Sequence, residues 1–517
     1  MGEKRQLAVN MIAGIISFGV QFGVSFVLTP YIVRTLGSEA YGFIPLANQI
    51  VGYTTIVTTA LNSMASRFIS IEMNRENTKQ ANIYFNSVLI SNIILALIFT
   101  IPSILIVLFA NHFLDIPENI LTDVQITFAL SFASMVMMLI FNVFSVVYYV
   151  RNRLDLSSKR NVEGNIIRAV VLVALFVFLQ PHIFYVTATM FIVNIYLCAT
   201  NIHYTRKMTP ELNINPKAFS QKAVKTLLSS GVWNSVNQLS TTLMTTLDLL
   251  LMNMFVGAGP SGQYSLVKTL PNMVQQIASV MVGVFVPMLL IDYAKNKKQQ
   301  LVDDVRFSVQ FLGAIITIPL GFLMVFGVDF FHIWVPTQDA QLLQELSILT
   351  LIPLIVTTSL NTVYNVYTVT NKLKTPALVW LTLGILNVVV VVALLKFTDL
   401  GIWVIPIVSL IMGLARNLTF TPVYAAHCLG LRWHTFYAAI FRGCLCVCSV
   451  IAVSLVYRSF FIPQNWPQLI IAAIVCGGVA LVGNVFIAFE KNKRARFITL
   501  LASKFHLPVP GQPKHAK

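Results

Sequence analysis

The sequence predicts an all-α polytopic membrane protein of about fourteen transmembrane helices: two six-helix lobes related by a pseudo-twofold axis, plus two extra C-terminal helices. Three observations predict it: a shortage of charge, recurring apolar runs of membrane-spanning length, and a repeat between the two halves. Of 517 residues, 56 % are hydrophobic and only 10 % are charged. A soluble domain carries roughly a quarter charged residues, so this chain lacks the charge to coat a globule of its size.

The apolar runs fall near 9–33, 41–66, 81–109, 123–150, 165–180, 183–205, 226–256, 262–291, 307–327, 344–370, 376–395, 401–426, 434–457 and 467–489. Nearly all are long enough to cross a hydrocarbon core of about 30 Å as a helix. The first follows the basic stretch MGEKRQ and is too long for a signal-peptide core, so it reads as a span. The formal net charge is +16, and its distribution explains it. Of the 35 lysines and arginines, 28 fall at the termini and in the loops on their side, three (Arg34, Lys396, Arg458) on the other, and four (Arg168, Lys268, Arg416, Arg442) within spans. This positive-inside pattern places both termini in the cytoplasm and needs no nucleic acid. The basic tail from Lys491 is expected on anionic headgroups.

The halves repeat. NVFSVVYYVRNRL at 142–154 aligns without gaps on NTVYNVYTVTNKL at 361–373, pairing Tyr148 with Tyr367 and Arg153 with Lys372. Gly37 pairs with Gly257 and Gly164 with Gly384 at a nearly constant offset, and Tyr41-Gly42 matches Tyr264-Ser265 after a short insertion. An even number of spans per repeat gives both copies one orientation, with a ligand path between them. The expected organisation is an N-terminal lobe over 1–205, an amphipathic cytoplasmic linker over 206–225, a C-terminal lobe over 226–430, appended helices over 431–490 and a basic tail over 491–517. The six cysteines lie in or next to spans. The spacing in CLCVC scatters its sulfurs around a helix axis, which predicts core thiols and no metal site.

Span seven reads NSVNQLSTTLMTTLDLL at 234–250. On a regular helix Ser230, Asn234, Asn237, Thr241, Thr245 and Asp248 form one polar stripe about 27 Å long. Span one carries a weaker counterpart in Asn10, Ser17, Gln21 and Ser25. A stripe of this length is expected to face a water-filled cavity, beyond the modest interhelical bonding that isolated Ser and Thr provide. Ionisable groups inside spans are costly and mark function. Asp248 is the acid well inside a span, either pairing with a base such as Lys268 or coupling to an ion. Arg416 is the deepest base and is expected to face the cavity. Arg168 and Lys268 lie about a turn from their span ends, Arg34 and Arg67 at opposite ends of the first two spans, and Arg442 has a structural or lipid-facing role. The excess of bases suits an anionic substrate such as a pyrophosphate.

The turn VRTLGSEAYG at 33–42, Arg67 closing span two in LNSMASRFIS, and Asp248 followed by LLLMNMFVGAGPSGQYS carry a likeness. On these motifs the chain resembles the polysaccharide transporter branch of the multidrug/oligosaccharidyl-lipid/polysaccharide (MOP) flippase superfamily. The resemblance implies two six-helix lobes in a V around a cavity, with two extra helices. It implies translocation of undecaprenyl-pyrophosphate-linked oligosaccharide units across the bacterial cytoplasmic membrane by alternating access, for cell-surface polysaccharide biosynthesis. Its cationic cavity residues would be among Arg34, Arg67, Arg168, Lys268 and Arg416. The partners would be the lipid-linked oligosaccharide, membrane lipids, and polysaccharide polymerase and assembly proteins. No cofactor is expected, and coupling to a proton or sodium gradient is left open.

Three alternatives stand beside this reading. Lipid II flippases share the fourteen spans and the cationic cavity. Drug/cation antiporters usually have twelve spans and an acid in the N-terminal half, whereas span one here has no acid. A glycan polymerase would need acids in a sizeable external loop, and the longest, 327–343, offers Asp329 and Asp339. No phosphate-binding loop of an ATP-driven pump occurs.

Overall fold

The computed structural model describes residues 3–490 apart from 284, 286–287, 290–291, 294, 296 and 371, together with residue 494; of residues 3–11 it describes the side chains of Gln6, Val9 and Asn10. All regular structure among the described residues is helical. The principal helices are α1 (Glu3–Leu36), α2 (Ser38–Gly52), α3 (Thr54–Asn74), α4 (Thr78–Leu108), α5 (Leu121–Phe141), α6 (Leu154–Phe178), α7 (Phe184–Met208), α8 (Gln221–Thr241) and α9 (Asp248–Phe255). They continue as α10 (Ala258–Val282), α11 (Lys298–Trp334), α12 (Ala340–Val369), α13 (Lys374–Phe397), α14 (Val404–Ala415), α15 (Thr421–Cys428), α16 (Tyr437–Phe460) and α17 (Trp466–Ala488).

Among the described residues, eleven helical segments are long and apolar enough to cross a membrane. The three other expected spans are helical too, over α2–α3, α8–α9 and α10. They are the polar ones: α3 carries Thr58, Thr59, Asn62 and Ser63, α8 the stripe, and α10 Lys268 and Gln275. Polar spans survive in a membrane when neighbouring protein shields them. The large apolar side chains left exposed, such as Leu97, Ile101, Phe178 and Ile474, are what a lipid-facing surface requires.

The chain divides into two compact units, Met1–Ser265 with Ala377–Ile405, and Leu266–Pro376 with Pro406–Lys517. In the first, α3 packs on α4 and α8, α1 on α6, and α5 on α4 and α7. Two close approaches depend on glycine. A Cβ on Gly231 would run into the Ala60 carbonyl of α3, and one on Gly262 into the Ser38 carbonyl at the start of α2. The segment after α7 lies along the start of α4, where Asn86 takes up Asn213 and Asn215: its Nδ2 donates to the Asn213 carbonyl at 2.9 Å and its Oδ1 accepts from Asn215 N at 2.7 Å.

In the second unit α11 is the central helix, packed on α12, α16 and α17. Asn484 of α17 donates to the Ala314 carbonyl at 2.9 Å, and Arg458 of α16 pairs with Asp329 at 3.2 Å. The two extra C-terminal helices are thus bonded to α11. Arg442 bridges α16 to the end of α17, reaching Glu490 at 3.1 Å, a structural role.

The repeat is visible in local geometry. Gly37 and Gly257, which close spans one and seven, both have positive φ, at 86° and 125°. After Tyr148 and Tyr367 the same backbone bond closes the turn, Arg153 N to Tyr148 O and Lys372 N to Tyr367 O, each at 2.8 Å. Turns closed by the same bond at paired sequence positions support a duplicated unit.

Some expectations need correcting. Helix α6 begins at Leu154, so Arg168 lies mid-helix, more than a turn from either end; Lys268 is about 15 Å into α10 at 1.5 Å per residue. The external loop over 327–343 shrinks, because α11 continues to Trp334 and α12 starts at Ala340. Its acids have structural partners: Asp329 pairs with Arg458, and Asp339 caps α12 by accepting from Gln341 N and Leu342 N. Asn10 faces no cavity, since its amide donates to Asn152. The basic tail, Arg494 apart, and Pro287 of span eight lie outside the described residues.

Candidate functional site

A cavity of about 790 Å³ opens within the first unit, between α2, α3, α5 and α7. Asn62, Asn142 and Asn194 line it with amides, and Thr59, Ser66 and Ser134 with hydroxyls. Asn62 is held by a reciprocal amide pair with buried Asn92, at 3.0 and 3.3 Å. Among the described residues lining it there is no Asp, Glu, Lys or Arg. Amides and hydroxyls both donate and accept, so such a surface suits a neutral polyol and gives a cation no counter-charge. The volume lies in the usual range of small-molecule sites, roughly 300–1,000 Å³.

Span seven reaches the rim of this cavity. Asn234 Nδ2 donates to Ser63 Oγ, a lining residue, at 3.1 Å. Beyond Thr241 the helix widens into a π turn over Thr242–Thr246, in which Leu247 N bonds back to Thr242 O at 3.1 Å. Side chains take up nearby carbonyls: Asn387 donates to Leu243 O at 3.2 Å and Tyr53 to Thr246 O at 3.4 Å. The extra residue in this turn shifts the phase of the helix beyond it. Ser230, Thr241 and Thr245 are exposed and Asn234 and Asn237 half-buried, whereas Asp248 is 4 % exposed. The stripe therefore does not run unbroken to the acid. Asp248 turns inward, where the Tyr264 hydroxyl donates to its carboxylate. In span one Gln21 is exposed and Ser25 half-buried.

A second π turn, Arg416–Phe420, interrupts span twelve in the second unit. Its cause is legible. Pro422 has no N–H, so the Leu418 carbonyl loses its helical donor and accepts from the Tyr437 hydroxyl instead. The turn carries Arg416 into a polar network. Arg416 Nε donates to Asn417 Oδ1 at 3.2 Å, and its terminal nitrogen to the Tyr364 hydroxyl at 3.4 Å. Tyr364 donates to Asn417 Oδ1 at 2.6 Å, and Asn417 donates to Thr357 at 2.6 Å. The guanidinium is bonded to these side chains and remains half-buried. π turns occur mostly as single insertions in α-helices, often at functional sites.

The other expected bases are dispersed. Arg34 is exposed in the last turn of α1 and Arg67 on α3, near opposite ends of their spans. Half-buried Arg168 on α6 lies close enough to Tyr41 of α2 for the two to interact electrostatically, and its buried Nε has no hydrogen-bond partner. Lys268 is half-buried on α10, one helical turn after Tyr264. Sequence reasoning missed Tyr41, Tyr264, Tyr364 and Asn417 as partners of the charges. The duplicated tyrosine after each turn glycine was the available signal for the first two; nothing in the pattern marked the others. Of the sulfurs in CLCVC, Cys446 is buried and Cys448 exposed, as helical scatter requires.

The chain matches the family model described as polysaccharide biosynthesis protein over residues 7–290. It is 26 % identical over 497 residues to the uncharacterized membrane protein EpsK of Bacillus subtilis (strain 168), covering 95 % of this chain and 97 % of EpsK. Among solved structures, the lipid II flippase MurJ in an inward closed conformation matches 96 % of this chain and 100 % of its own, with TM-score 0.63 at 14 % identity. An inward-facing multidrug resistance MATE family transporter of the MOP superfamily matches 82 % of this chain and 97 % of its own, with TM-score 0.62 at 13 % identity. At such identities the two structures speak for the fold alone. The family match over more than half the chain goes further: this protein belongs to the polysaccharide biosynthesis protein family.

Proposed function

We propose that the protein moves an undecaprenyl-pyrophosphate-linked oligosaccharide unit across the bacterial cytoplasmic membrane, with both termini cytoplasmic. The observation that carries this reading is the amide- and hydroxyl-lined cavity, with no Asp, Glu, Lys or Arg among its described lining residues. A neutral glycan satisfies such a wall hydroxyl by hydroxyl. A cationic drug leaves it with no counter-charge. A guanidinium such as that of Arg416, in the second unit, is a group that can donate in pairs to phosphate oxygens. The isoprenoid stays in lipid, so the chain has only to shield the polar head.

In this account alternating access moves the head group and the polar stripe of span seven lines its way. Polysaccharide polymerase and assembly proteins would receive the product. The test is export of surface glycan by cells carrying Asn62→Leu or Ser134→Leu. Each should lower export while leaving the protein in the membrane at normal abundance. Undiminished export by both would remove the cavity from the glycan's path.

A further inference from the structure

The second unit holds a smaller cavity, about 410 Å³. Lys298 enters it from the first turn of α11, Lys372 from the turn after α12, and His427 from the end of α15. All three are exposed, and none makes a side-chain hydrogen bond among the described residues. The Lys298 ammonium lies over Gly430, whose φ of +61° shapes the neighbouring turn. Asp292, 4 % exposed, is the one carboxylate in the described lining. Two ammonium groups face one carboxylate, so the lining is net positive.

Two features make this concentration of charge unusual. Lys298 opens a 37-residue helix whose N-cap, Lys297, has no side-chain capping bond. A helix N-terminus carries positive partial charge and favours anions, so lysines there are placed against their own electrostatics. The duplicated turn supplies the contrast. In the first half Arg153, the partner of Lys372, is neutralised by Asp155 at 2.9 Å, and Asp155 is held in turn by Gln6 at 2.9 Å. The residue aligned with Asp155 is Lys374, which is exposed. The second copy of the turn thus has a base where the first has its neutralising acid.

We infer that this cavity binds a phosphate ester, with Lys298 and Lys372 holding the phosphate oxygens and His427 flanking them. Basic pockets between helices at a membrane surface take anionic lipid head groups in this way. A lipid phosphodiester and a soluble phosphate ester present the same oxygens, and the experiment separates them.

The full-length protein, purified in detergent, would be titrated with short-chain phosphatidylglycerol, short-chain phosphatidylcholine, and glycerol phosphate as the soluble ester. Bound lipid would be read by native mass spectrometry, and soluble-ester binding by calorimetry. Retention of phosphatidylglycerol over phosphatidylcholine, weakened about fivefold by each of Lys298→Gln and Lys372→Gln, supports a lipid site. Equivalent weakening for glycerol phosphate, without lipid selectivity, supports a soluble ester. Lys374→Asp, which restores the acid of the first turn, should weaken binding without removing a lining residue. Lys217→Gln, at a residue outside the cavity's lining, should change nothing. Unchanged binding in both lining variants, or no binding of either ester, overturns the inference.

Discussion

Spans seven and twelve meet one problem, a widened turn inside a membrane helix, and solve it with opposite charges. In span seven the π turn at Thr242–Thr246 leads into a buried acid, Asp248, bound by Tyr264. In span twelve the turn at Arg416–Phe420 starts on a base, cradled by Tyr364 and Asn417. Both need side chains to satisfy carbonyls displaced from the helical pattern, supplied by Asn387 and Tyr53 in one and by Tyr437 in the other. The difference lies in where the charge is left. Asp248 is sealed in by its surroundings, while Arg416 stays half-buried. An irregular turn can therefore bury the charge it carries or leave it partly accessible.

The comparison breaks most visibly at Arg416. Arg416→Ala removes charged hydrogen bonds worth about 1.5–3 kcal/mol, so glycan export should fall at least about tenfold, with membrane insertion intact on fractionation. Gly262→Leu attacks the first unit's packing. Overfilling a tight contact costs about 1–3 kcal/mol, and the thermal midpoint in detergent should drop accordingly. Asp248→Asn keeps the shape and an acceptor for Tyr264. We expect about 1 kcal/mol of lost stability and an unchanged response to an ion gradient; loss of that response with stability intact would make the acid a coupling group. Tyr437→Phe strands the Leu418 carbonyl at a similar cost, about 1 kcal/mol. Tyr53→Phe should cost less, because its bond is long at 3.4 Å.

Much of the fold was legible because hydropathy and helix length answer to the same bilayer. Even the three most polar spans were found, because each still held an apolar run long enough to mark it, and all three are helical. The repeat was legible through turn residues: a glycine at positive φ tolerates few replacements, so Gly37 and Gly257 kept the register visible. The phase of the stripe was not. A helical wheel assumes 3.6 residues per turn throughout, and the π turn at Thr242–Thr246 breaks that assumption six residues before Asp248. Helix ends were also misjudged where polar turns remain helical outside the apolar run, which moved Arg168 and Lys268 inward. The lining of the first unit's cavity was invisible, because Ser131, Asn142 and Asn194 are ordinary membrane-helix residues until packing brings them to one wall.

The most direct test of the central claim is translocation by the purified protein in liposomes carrying an undecaprenyl-pyrophosphate-linked oligosaccharide on one leaflet. The sugar's arrival on the other leaflet would be followed with wild type and Arg416→Ala, with and without a proton or sodium gradient. The account predicts transfer by the wild-type protein and little by the variant. Gradient-driven efflux of a cationic dye, with no movement of the glycolipid, would contradict it.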